Sequence, residues 1–197
     1  LASKTILHPH LECLFTVDEE TGLTGALHLE KDFLSAQTLI NLDSENDEEL
    51  TIGCAGGIDT VAHFRYQVEK VPENYFFFKV TVKGLKGGHS GEDINKELGN
   101  AIKILLRFWS KLRQKMSLSL ISIDGGNLRN AIPREAEVVF AVSSKEKESV
   151  RIELNHFIAL MEEEILDVAP EFSMHLSSEK YIEETVDKAT AEKLFLA

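Results

Sequence analysis

The chain has 197 residues, 43% hydrophobic and 27% charged, enough for one ordinary domain or two small ones with a normal soluble core. Its net charge of −12 repels phosphate backbones, so no nucleic acid is expected as a partner. No apolar run approaches the roughly eighteen residues of a membrane span, the N-terminus does not read as a signal peptide, and no membrane partner is expected.

Residues 13–17 form a short apolar run that predicts a buried strand, and it ends at Asp18-Glu19-Glu20. Gly22 and Gly25 lead into a short helix over residues 26–29. Residues 38–42 predict a second buried strand, ending at Asp43. Strand, helix and strand make a βαβ unit with parallel strands. A third strand is expected over residues 48–54, closed by Ala55-Gly56-Gly57. Cys13 and Cys54 sit in these apolar surroundings and read as buried free thiols of a reducing compartment, so a cytoplasmic location is expected.

After Gly57 the pattern changes. Residues 60–68 alternate as a half-solvated antiparallel strand does. Residues 75–82 predict a further strand, and 83–91 a glycine-rich loop. The spacing of Leu98, Ile102, Leu105, Leu106 and Trp109 predicts a helix over 94–112. Strands are expected over 117–123 and 137–142, then a helix over about 145–166 capped by Ser143 or Ser144. The tail from Phe172 reads as a strand followed by a helix. The fold class is therefore α/β for residues 1–57, a partial parallel sheet, joined to an α+β domain over 58–197 with an antiparallel sheet and two long helices.

Open parallel sheets place ligands beyond the carboxyl ends of their strands, where Asp18-Glu19-Glu20 and Asp43 fall. Neighbouring strands lie about 5 Å apart, so carboxylates there could share a pair of divalent metals about 3.5–4 Å apart. Of Glu19 and Glu20, one could bind metal and the other serve as general base. An acidic solvated turn has the same composition. Lys86-Gly87-Gly88-His89-Ser90-Gly91 would display His89 on an exposed loop, where a neutral imidazole can donate to a developing oxyanion; a helix-capping role for Ser90 or Asp93 fits the same residues. Arg129, in a second polar loop from Gly125 to Pro133, suits a carboxylate ligand, or is a solvated turn residue. His8, His10, His28, His63, His156 and His175 read as surface residues.

These segments occur together in an order that resembles the M20 metallopeptidases. Thr16-Val17-Asp18-Glu19-Glu20-Thr21-Gly22 is similar to the acidic signature of that family, and Asn41-Leu42-Asp43-Ser44-Glu45 to its next ligand segment. Lys83 to Gly91, Leu128-Arg129-Asn130-Ala131-Ile132-Pro133 and Gly53-Cys54-Ala55-Gly56-Gly57 resemble the Xaa-His dipeptidase branch (aminoacyl-histidine dipeptidases). The resemblance implies a partial catalytic domain over 1–57 and a lid and dimerisation domain over 58–197. It implies Glu19 as general base, Glu20 and Asp43 as ligands of two zinc ions, and His89 as a lid histidine that stabilises the oxyanion in the partner subunit's site. Asn130 and Arg129 are implied as substrate contacts. The expected activity is hydrolysis of dipeptides with a C-terminal histidine by a homodimer. Two alternatives are a non-catalytic dimerisation module and a related hydrolase of N-acyl amino acids. No segment matches the family's remaining ligands, an upstream His and Asp and a downstream His. The chain, which starts at Leu1 without Met, is therefore expected to be the central piece of a longer enzyme, with weak metal binding and no turnover by itself.

Overall fold

The structure is a computed structural model that describes residues 4–42, 48–53, 58 and 60–195. Asp43, Cys54 and the Ala55-Gly56-Gly57 turn lie outside the described residues. The chain divides into two units, Leu1–Asp59 and Thr60–Ala197.

The first unit contains two short helices, α1 (Glu19–Gly22) and α2 (Thr24–Leu27). Among its described residues there is no strand, so the parallel sheet expected from residues 13–17 and 38–42 is not formed there. Phe15 is 90% exposed and Leu42 87%. The physical reason is that a parallel strand is held by ladders to its neighbours and by helices covering both faces, and the described residues of this unit supply neither. Cys13 is likewise exposed rather than buried.

The second unit holds β1 (Val68–Lys70), β2 (Tyr75–Lys83), α3 (Ala101–Arg113), β3 (Leu118–Gly125), β4 (Ala136–Ser143), α4 (Lys147–Ile165), β5 (Ser173–Ser178), β6 (Glu184–Val186) and α5 (Lys188–Leu194). Four strands form one antiparallel sheet in the order β3-β4-β2-β5, and β1 pairs with β6 as a separate ribbon. Strand alternation decides which residues enter the core. Phe78, Val80 and Val82 of β2 stand opposite Phe140, Val138 and Ala136 of β4, and all six are buried in the cluster that includes α3 and α4. The helices contribute stripes at helical spacing: Ile104, Leu105, Phe108 and Leu112 from α3, and Val150, Leu154, Phe157, Met161 and Ile165 from α4. Phe108 meets Phe157 at 5.4 Å between ring centroids, and Trp109 meets Phe140 edge-on at 5.5 Å. On the other side of the sheet Phe77 and Ala141 pack with Val71.

Three expected elements differ in extent. The helix expected over 94–112 is broken: a 3-10 turn, Ile94–Lys96, ends at Glu97 in the left-handed region (φ 54), and α3 starts only after Asn100, whose side chain accepts from the Lys103 N–H at 3.1 Å. The strand expected over 60–68 is not formed over residues 60–67; pairing starts at Val68, its last residue, where β1 runs on to Lys70 against β6. A 3-10 turn, Ser144–Glu146, precedes α4; Ser143 caps that turn, its hydroxyl accepting from the Lys145 N–H at 3.4 Å, while Glu146, just before α4, makes no side-chain cap bond. No helix among the described residues is long and apolar enough to cross a membrane.

The register has one consequence for function. Val82 and Gly125 both pair with Ala136. The loop leaving β2 and the loop joining β3 to β4 therefore emerge at one end of the sheet.

Candidate functional site

Those two loops are zipped together. His89 and Ala131 form an antiparallel bridge, in which the Ser90 N–H donates to the Asn130 carbonyl and the Ile132 N–H to the Gly88 carbonyl, each at 2.8 Å. The structure thus brings His89, Arg129 and Asn130 into one clasp. Gly88 is required there: it has φ 156, and a Cβ would fall 2.7 Å from Asp93 Oδ2 and 2.9 Å from Leu98 Cδ1.

The His89 ring is fixed by backbone donors. Nδ1 lies 3.2 Å from both the Gly91 and the Glu92 N–H groups. An imidazole nitrogen that accepts carries no proton, so the neutral ring bears its proton on Nε2 and is a donor there. The His89 N–H donates to Asp93 Oδ2 at 2.7 Å, and the Asp93 N–H donates back to the His89 carbonyl at 3.1 Å. Lys96 Nζ donates to Asp93 Oδ1 at 2.5 Å. The Lys96 ammonium, and after it the His89 N–H, hold the Asp93 carboxyl below its ordinary range; the same carboxylate pushes Lys96 up.

Beside the clasp is an open cleft of about 580 Å³, lined by Lys83, Gly88, Asn127, Ala131, Arg134 and Glu137 among others. Its cations are Lys83 and Arg134, which sequence reasoning passed over in favour of Arg129. Arg129 is an exposed residue of the turn that closes with the Ala131 N–H on the Leu128 carbonyl at 3.3 Å. The signal for the other two was positional: Lys83 is the last residue of β2, and Arg134 follows Pro133 at the entry to β4.

In the first unit, the acidic turn is built around Asp18. This residue precedes α1 in the left-handed region (φ 63), and its Oδ2 accepts from the Thr24 hydroxyl at 2.5 Å. The Gly25 N–H donates to the Val17 carbonyl at 3.0 Å, and a Cβ on Gly25 would sit 2.6 Å from the Val17 nitrogen. Asp18 therefore shapes the turn, while Glu19 and Glu20 occupy the first turn of α1 with exposed side chains. Asp43, the expected second metal ligand, lies outside the described residues.

Carboxylate oxygens suit a divalent cation, so Glu20 fits the chemistry of the implied zinc pair. No group of three His, Cys, Asp or Glu among the described residues is assembled closely enough to hold a metal by itself. The histidines read as surface residues stay apart from any such group: His28 Nδ1 contacts the Thr24 carbonyl at 2.8 Å, and His10 Nε2 is 3.8 Å from Glu12. Sequence reasoning also missed Glu12. Its carboxylate accepts from the Ser35 hydroxyl (2.7 Å), the Ser35 N–H (2.9 Å) and the Ala36 N–H (2.8 Å), tying residues 35–36 to residue 12. The Ser35 hydroxyl foremost, then the Ala36 N–H, lowers its pKa.

Residues 74–169 match the M20 peptidase dimerisation domain. Over 178 residues the chain is 41% identical to the cytosol non-specific dipeptidase of Escherichia coli (strain K12), covering 90% of this chain and 37% of that protein. The crystal structure of aminoacylhistidine dipeptidase from Vibrio alginolyticus superposes with a TM-score of 0.73 at 31% identity, covering 92% of this chain and 37% of that one. The chain thus spans 37% of the length of each of these two relatives.

Proposed function

We propose that this chain is part of a metal-dependent dipeptidase of the M20 peptidase family that hydrolyses short peptides, Xaa-His dipeptides among them, as a cytosolic homodimer. The observation that carries this reading is the His89 clasp: a ring whose Nδ1 is saturated by two backbone N–H groups and whose Nε2–H is committed to donating.

In this reading Glu20 and Asp43 each contribute a carboxylate to a two-zinc centre, whose remaining ligands come from outside the described residues. Zinc bound there would polarise the scissile carbonyl and make a water acidic enough to attack it. Glu19 takes the proton from the attacking water and returns it to the leaving amine. His89 donates its Nε2–H to the oxyanion that develops on the carbonyl oxygen in the partner subunit's site. Asn130 and Arg129, presented by the same clasp, contact the substrate, with Arg129 facing its carboxylate.

The test is made in the complete protein. Glu19→Gln is expected to lower kcat by roughly 10²–10⁴-fold while zinc content per chain, read by elemental analysis, is unchanged. Retained kcat would remove Glu19 from its role. Absence of zinc from the wild-type protein would favour a non-catalytic dimerisation module. A substrate panel comparing Xaa-His dipeptides with N-acyl amino acids decides between the dipeptidase and the N-acyl hydrolase.

A further inference from the structure

Asp93 stands where a helix-capping residue would stand, immediately before the 3-10 turn Ile94–Lys96, yet its side chain makes no cap hydrogen bond to that turn. Its carboxylate reaches backwards instead. Oδ2 takes the His89 N–H and Oδ1 takes Lys96 Nζ, so the group is held from both sides. The Asp93 N–H returns to the His89 carbonyl, which closes residues 89–93 into a tight turn. The Gly91 and Glu92 N–H groups that occupy Nδ1 lie inside that turn. Gly88 has no side chain, and any Cβ there would displace the carboxylate.

We propose that Asp93 is a positioning residue for His89: its carboxylate, clamped by Lys96, closes the turn that locks the His89 ring as the Nε2–H donor. The dependence runs through the backbone. Without the Asp93 acceptor the His89 N–H loses its partner, the 89–93 turn loosens, and the two donors move off Nδ1. The ring then exchanges its proton between both nitrogens, and part of the population presents a lone pair where a donor is needed. The effect on turnover rests on the reading of His89 given above; the effect on the ring does not.

The experiment separates the two. The complete protein is labelled with ¹⁵N-histidine, and the His89 tautomer is read by long-range ¹H–¹⁵N correlation, its signals assigned by their loss in His89→Gln. Wild type is expected to be the Nε2–H form. Asp93→Ala is expected to give a tautomer mixture and a kcat lower by about tenfold or more, with KM within about twofold. Asp93→Asn keeps an oxygen acceptor for the His89 N–H and is expected to recover most of both losses, with a single cooperative melting transition as the control for folding. A His89 ring that stays fully Nε2–H in Asp93→Ala overturns the proposal, whatever happens to kcat. A shifted tautomer with unchanged kcat upholds the positioning role and sinks the catalytic reading of His89 instead.

Discussion

The Asp93 carboxyl is held below its ordinary range first by Lys96 and then by the His89 N–H. A depressed folded-state value means that the unfolded chain binds the proton more tightly. The stabilisation is therefore fully present above the unfolded value of about 3.9 and is lost as pH falls through the lower folded value. Glu12, Glu164 and Asp187 are shifted in the same direction, so the pH dependence of the whole protein does not isolate one of them. A pairwise comparison does. The gap in denaturation midpoint between wild type and Asp93→Asn is expected to be constant above about pH 5 and to close as the pH drops below about 3.9. Since the Lys96 contact is solvent-accessible, added salt should narrow the gap. A gap that persists to strongly acid pH would show that the aspartate stabilises by shape rather than by charge.

Secondary-structure elements in the second unit are fastened to one another by contacts of very different worth. The Thr185 hydroxyl, 5% exposed, donates to the Leu120 carbonyl at 2.5 Å, where β3 carries a register shift between Leu120 and Ser122. The irregularity shifts the ladder beyond Leu120, and the Thr185 hydroxyl of β6 bonds the Leu120 carbonyl beside it. Arg107 and Glu164 tie α3 to α4 with two hydrogen bonds of 2.6 and 2.7 Å, but their side chains are 44% and 48% exposed. Burial decides which counts for more. Thr185→Val should cost about 1–3 kcal/mol, since a buried carbonyl loses its partner, whereas Arg107→Gln should cost under about 1 kcal/mol because water screens the pair. Urea unfolding of both variants checks the order, and a larger loss for Arg107→Gln would reverse it. The sequence patterns that revealed β2, β4 and α4 were strong because each element buries one whole face. The start of α3 was misread because Ile94, Leu98 and Ile102 keep helical spacing straight across the break at Glu97, and only Asn100 marks the true start. Alternation over 60–68 was equally clear, but alternation does not make a strand without a partner, and ladder pairing begins only at Val68.

At the scale of the whole chain, the two units differ in how much of their chemistry was visible from residue order. The two loops of the second unit were legible because glycines around a histidine, and polar residues before Pro133, mark loops by local chemistry alone, but their pairing into one clasp was not. Its supports, Asp93 and Lys96, were not legible as supports, since their bonds run backwards along the loop. In the first unit the motifs were legible but their setting was not. The sheet expected around Asp18-Glu19-Glu20 depends on strands that the described residues of this unit do not supply. What remains is a set of large apolar side chains in water: Phe15, Leu39, Ile40, Leu42, Leu50 and Ile52 are all highly exposed. Covering such side chains is worth about 25 cal/mol per Å² of apolar surface. The two relatives are longer than this chain, which spans 37% of each. Hydrogen exchange gives the test. In the 197-residue chain, amides of β2 and β4 should exchange only with global unfolding, while those of residues 13–17 and 38–42 should exchange close to the unprotected rate. In the complete protein the second group should slow by orders of magnitude as neighbouring strands pair with it. Fast exchange of residues 13–17 in the complete protein would mean that the acidic turn at Glu19 and Glu20 is not anchored by a sheet, and would remove the strand-end argument for placing a metal centre there.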